Sequence, residues 1–140
     1  MNVRAIESAS ADWAALQGHV AGPCTLRNLL GVSEHSAVFL TDVADREPAQ
    51  AAIKLVPTPL LAESLILRWQ NASRLEHPHL LGLLQTGRCQ FSGRKYLCAV
   101  MELSDQNLGQ LLENRALTED ETREMLVPVL NALAFLAAYS

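Results

Sequence analysis

The residue most open to chemistry is Lys54, which ends the apolar alternation of the run Gln50-Ala51-Ala52-Ile53-Lys54-Leu55-Val56. A lysine ammonium on a strand is a point charge suited to phosphate oxygens. Upstream, Gly31-Val32-Ser33-Glu34-His35-Ser36 reads as a turn leading into Ala37-Val38-Phe39-Leu40. A turn before such a strand can lay backbone N–H groups over an anion. The competing reading of Lys54 is a solubilising charge on an edge-exposed strand. His35 has the side chain of an acid or base, but an imidazole at a loop tip is more simply a solvated one. Zinc could be drawn from His77, His79, Cys89 and Cys98, yet no ligand pair recurs at a fixed spacing, so no metal site is assigned. The odd set Cys24, Cys89 and Cys98 lacks a C-x-x-C pair and reads as reduced thiols packed inside a cytoplasmic protein.

The elements that must position Lys54 follow from periodicity and punctuation. Residues 1 to about 20 form a loose or briefly helical lead-in with one large anchor, Trp13, and Gly22-Pro23 breaks it. Strands are expected over Cys24–Leu30, Ala37–Val43 and Gln50–Val56. Pro57 and Pro59 suit a helix entry. Leu61, Leu65, Trp69, Ala72 and Leu75 then recur at helical spacing over Leu60–Glu76, with His77 closing the helix before Pro78. Two further strands, Leu83–Gln90 and Lys95–Leu103, meet at Ser92-Gly93. A short helix covers Asn107–Glu113. The last helix opens on a capping box, Thr118-Glu119-Asp120-Glu121. It carries a stripe of Leu126, Val129, Leu130, Leu133 and Leu136 around an internal Pro128.

Composition narrows the class. Of the 140 residues, 49% are hydrophobic and 19% charged, which suits a globular α+β domain. The net charge of −4 and the lack of a basic tract argue against nucleic acid or an anionic membrane surface as partner. No apolar stretch approaches the roughly 20 residues of a membrane helix, and no secretory signal is visible.

Order and motifs together resemble the N-terminal lobe of a bacterial eukaryotic-like (Hanks-type) Ser/Thr protein kinase. Leu30-Gly31 through Val38 is similar to the glycine-rich loop and its following strand. Ala52-Ile53-Lys54 is similar to the V-A-I-K strand. Leu75-Glu76-His77-Pro78-His79-Leu80-Leu81 resembles the L-x-H-P-N-I-V segment, and Ala99-Val100-Met101-Glu102-Leu103-Ser104 the V-M-E-Y hinge. The resemblance implies a five-stranded, mostly antiparallel sheet with one packed helix, then a short helix and the first long helix of the C-lobe. It divides the chain into a lead-in (1–22), an N-lobe (23–104) and the start of a truncated C-lobe (105–140). By resemblance, Lys54 meets the phosphates, Gly31 forms the first bend of the loop, and Val38 and Ala52 wall the adenine. Met101 becomes the gatekeeper, and the backbones of Glu102 and Ser104 bond the adenine edge.

Departures from the pattern change the expected activity. Only Gly31 survives of G-x-G-x-x-G, and Glu34 adds a negative charge at the loop tip. Counting back ten positions from Pro78, where the regulatory-helix glutamate belongs, reaches Arg68. Glu63 lies five residues earlier, about 140° around the helix. The catalytic loop and the Asp-Phe-Gly triplet do not occur in the sequence, so neither a catalytic base nor a magnesium ligand set is assigned. The expectation is a truncated kinase-like domain that binds ATP or ADP weakly or not at all and does not transfer phosphoryl groups. The alternatives are a non-catalytic pseudokinase-type interaction module, suggested by Arg68, Ser33 and Ser36, and an inert product of a split kinase gene. An exposed leucine stripe on the last helix would add self-association or a protein partner.

Overall fold

The computed structural model describes residues 12–21, 24–43, 49–58, 62–91, 93–104 and 108–138. These fall into two compact units, one drawn from Met1–Arg74 and Gly82–Leu103, the other from Leu75–Leu81 and Ser104–Ser140.

The first unit is built on strands. β1 (Val20–Ala21) and β2 (Cys24–Thr25) form a short antiparallel ribbon. β3 (Leu29–Val32), β4 (Ala37–Asp42), β5 (Gln50–Pro57), β6 (Leu83–Phe91) and β7 (Arg94–Glu102) form an antiparallel sheet in the order β3-β4-β5-β7-β6. The strand expected over Cys24–Leu30 is therefore split. It stays beside β4 through the split, because Arg27 N–H donates to the Leu40 carbonyl and Leu40 N–H to the Asn28 carbonyl, both at 2.8 Å. β5 is the middle strand, so Lys54 is not an edge charge.

One helix, α1 (Ala62–Ala72), packs along β6 and β7. It stops four residues short of the expected Glu76. Asn71 and Ser73 are weak helix formers, and the Ser73 hydroxyl donates to the Gln70 carbonyl at 2.6 Å, which competes with helix continuation. Leu65 and Trp69 are half-buried as their spacing requires, Ala72 is exposed, and Leu61 lies outside the described residues.

Pairing register decides which side chains share a face, because partners across an antiparallel pair point the same way. Phe39, Ile53 and Val100 align across β4, β5 and β7, with Ala37 and Leu55 one pleat further along the same face. These residues, with Ala51 and Tyr96, form the main core. The core is closed by Trp13, Cys24 and Leu26 from the segment preceding β3. Trp13, on a helical turn over 12–14, sits edge-on to Phe39 at 6.5 Å and tilted on Tyr96 at 5.7 Å. Thr41, fully buried on this side, donates its hydroxyl to the Thr25 carbonyl at 2.9 Å, so no polar group is stranded there.

The second unit holds α2 (Leu108–Asn114) and α3 (Glu119–Ala137). The expected capping box is present: Glu121 N–H donates to the Thr118 hydroxyl at 3.2 Å, and Thr118 N–H to the Glu121 carboxylate at 3.1 Å. α3 continues through Pro128. Its face around Leu126, Val129, Leu130 and Leu133 is exposed, while Ala132 is buried and Phe135 packs on the His77 ring at 4.9 Å. Among the described residues, no helix is long and apolar enough to cross a membrane.

Candidate functional site

The face of the sheet opposite the Phe39 core carries the residues singled out for chemistry. Gly31 pairs with Val38, Val38 with Lys54, and Lys54 with Ala99, which makes one row across four strands. One pleat along, Leu40 pairs with Ala52, Ala52 with Met101, and Met101 with Leu83. Strand alternation therefore brings Gly31, Val38, Lys54, Ala52 and Met101 onto a single face, drawn from positions 70 residues apart at the extremes (101 − 31). Ala52 is buried, Val38, Lys54 and Met101 are half-buried, and Gly31 is exposed.

Glu102 and Ser104 are placed differently. Glu102 closes β7 beyond Met101, and its N–H donates to the Gly82 carbonyl at 2.9 Å. Its carboxylate lies over Gly82, where an added Cβ would stand 2.4 Å from Oε1. Gly82 is thus the glycine on which the Glu102 side chain rests, a role the sequence did not flag. Ser104 is exposed and belongs to the second unit.

The turn between β3 and β4 closes without the glycines of the motif. Ser33 N–H donates to the Ser36 carbonyl at 2.9 Å, and the two hydroxyls are hydrogen-bonded at 2.5 Å. Only Glu34 and His35 are left at the tip, 3.7 Å apart and exposed. Both line a cleft of about 820 Å3 with Trp13, Leu16, Arg94, Lys95 and Tyr96.

Lys54 forms no ion pair among the described residues. Glu63, the carboxylate nearest in sequence to the place the motif requires, is ion-paired with Arg88 of β6. Arg88 is the register partner of Leu97, which places it on the same face as Lys54 and sets α1 on that face. Arg68 points into solvent from α1. Arg88 was not anticipated as a site neighbour; the only sequence signal was a cation in an otherwise uncharged strand. The zinc arrangement finds no support either, since no cluster of potential ligands forms among the described residues.

Solved structures decide the fold. The Mycobacterium tuberculosis PknI kinase domain in a double-mutant form aligns with a TM-score of 0.69 and 24% identity, over 85% of this chain and 49% of that one. The unmutated domain aligns at 0.65 with 25% identity, over 85% and 49%. This is a bacterial Hanks-type kinase N-lobe-like fold. The chain spans about half the length of the kinase domains it matches. No protein-family model matches it, and no curated protein matches it. In a kinase N-lobe-like fold, the row through Lys54 is the part of the sheet where the motif resemblance is concentrated.

Proposed function

We propose that this chain is the nucleotide-binding part of a cytoplasmic kinase-like domain that takes ATP or ADP weakly. Lys54 is the phosphate contact, Val38, Ala52 and Met101 form the adenine wall, and the backbone of Glu102 edges the base. The observation that carries this reading is the register, which sets Gly31, Val38 and Lys54 in one row and Ala52 and Met101 in the next, on one face. Binding stays weak because Lys54 has no ion-paired carboxylate among the described residues to hold its position, Glu63 being taken by Arg88. The residues that perform phosphoryl transfer and hold magnesium in this family are not among these 140, so turnover is not assigned to them.

Calorimetric titration with ATP, ADP and adenosine tests the reading. Lys54→Ala should weaken ATP and ADP about tenfold or more, roughly 1.4 kcal/mol, and leave adenosine unchanged. Absence of any heat for the wild-type chain at millimolar nucleotide would sink it.

A second reading, a non-catalytic interaction module, is favoured by the exposed Leu126, Leu130 and Leu133 on α3. In this reading that face self-associates or takes a protein partner. Sedimentation velocity should show concentration-dependent association that Leu130→Gln with Leu133→Gln abolishes. A wild-type chain that stays monomeric at every concentration, with no partner recovered by cross-linking, would exclude it.

A further inference from the structure

The cleft that Glu34 and His35 line lies wholly within the first unit, and its lining is of two kinds. Trp13, Leu16 and Tyr96 supply an apolar and aromatic surface. Asp12, Glu34, Arg94 and Lys95 supply charges, two of each sign, and all four residues are exposed. Yet none of Asp12, Arg94 and Lys95 forms an ion pair among the described residues, and Glu34 reaches only the neighbouring His35. Opposite charges therefore share one concavity without neutralising each other. The elements that carry them are fixed independently. Asp12 precedes Trp13 on the helical turn that closes the core, and Glu34 sits on the turn closed by the Ser33 and Ser36 hydrogen bonds. Arg94 and Lys95 open β7, where Tyr96 pairs with Pro57 and the Lys95 carbonyl accepts from Thr58 N–H at 3.1 Å. A concavity framed in this way needs little ordering when something binds in it.

We propose that this cleft binds a short peptide with free ends. Its ammonium group meets Asp12 and Glu34, its carboxylate meets Arg94 and Lys95, and an apolar middle side chain rests on Trp13, Leu16 and Tyr96. None of these residues is among those assigned to ATP, so the two readings stand or fall separately.

Charge balance selects the class. A polyanion such as a nucleotide would be drawn to Arg94 and Lys95 but repelled by Asp12 and Glu34, and a polyamine would meet the reverse. A zwitterion satisfies both pairs. Volume selects the length. A round cavity of about 820 Å3 is about 12 Å across, and an extended chain advances about 3.3–3.6 Å per residue, so three or four residues span it. A single amino acid holds its two charges within one residue's rise and cannot reach both sets.

The test is calorimetry on the whole chain with the tripeptide alanyl-leucyl-alanine, compared with its N-acetylated form, its C-terminal amide and free leucine. The free tripeptide should bind saturably in the millimolar range or tighter. Each capped form should bind about fivefold more weakly, as for the loss of one exposed ion pair, and leucine more weakly still. Asp12→Asn with Glu34→Gln should weaken the free tripeptide by a similar factor and make acetylation indifferent. Arg94→Gln with Lys95→Gln should do the same for amidation. In NMR the Trp13 indole N–H should shift on titration while that of Trp69 on α1 stays in place. Should a variant lose its fold by circular dichroism, the capped peptides on the wild-type chain decide alone. No binding of the tripeptide at about 10 mM, equal affinity for free and capped forms, or a shift at Trp69 in place of Trp13 would each overturn the proposal.

Discussion

Glu63, in the first turn of α1, is ion-paired with Arg88 on β6 rather than with Lys54. The pair ties the start of α1 to the edge strand of the sheet. It takes up the only acidic side chain of the helix, and Lys54 on the middle strand forms no ion pair among the described residues.

The side chains of this pair are 54% and 86% exposed, for Arg88 and Glu63, so its strength is limited by solvent. A double-mutant cycle with Glu63→Gln and Arg88→Ala should give a coupling of about 0.2–1 kcal/mol that shrinks with added salt. A coupling well above that range, or one indifferent to salt, would mean that the pair carries the docking of α1.

Trp13 should matter far more. It is nearly buried and closes the core against Phe39 and Tyr96. Trp13→Ala is expected to cost about 3–5 kcal/mol, a large share of the roughly 5–15 kcal/mol that holds a typical domain folded. Urea unfolding followed by circular dichroism measures this, and a loss under about 1 kcal/mol would show that the segment before β3 is dispensable.

Much of this fold was legible because its signals are local. The capping box at Thr118 and Glu121 depends on a spacing of three residues. The alternation from Ala51 to Leu55 depends on strand pleat, which also makes the Lys54 face readable before any coordinates. What was hidden depends on contacts between distant segments. Nothing near Glu63 indicates that Arg88 will meet it. The end of α1 was misplaced because Pro78 gave a stronger stop signal than Asn71 and Ser73, which act earlier. Trp13 was seen as an anchor, but the surface it closes appears only once β4, β5 and β7 are in register.

Gly31 separates folding from binding. Its backbone does not adopt a left-handed φ, and a Cβ there would meet nothing within 4 Å. Gly31→Ala should therefore change stability by less than about 0.5 kcal/mol, as for most surface changes. If the backbone must approach phosphate closely, the same variant should weaken ATP several-fold in calorimetry. Equal ATP affinity in both proteins would remove Gly31 from the site.

The start of α3 should be sensitive to acid. Hydrogen bonds from Arg115, and then from Thr118, hold the Glu121 carboxyl down to about 2 from its ordinary 4.5. Because the folded value lies below the unfolded one, the contribution of this group is complete above about 4.5. It is lost as pH falls toward 2. NMR titration of the Glu121 carboxyl should give a midpoint well below 4, and Arg115→Ala should move it upward. An unshifted midpoint in the wild-type chain would show that the cap does not hold the charge.

The division of the sheet into a Phe39 side and a Lys54 side has a consequence for how such a sequence can change over time. Ser33, Ser36 and Arg68 fall outside the main core cluster, so substitutions there leave the packing around Trp13, Phe39, Ile53 and Leu55 in place. A lobe built this way can drift in chemistry without drifting in shape.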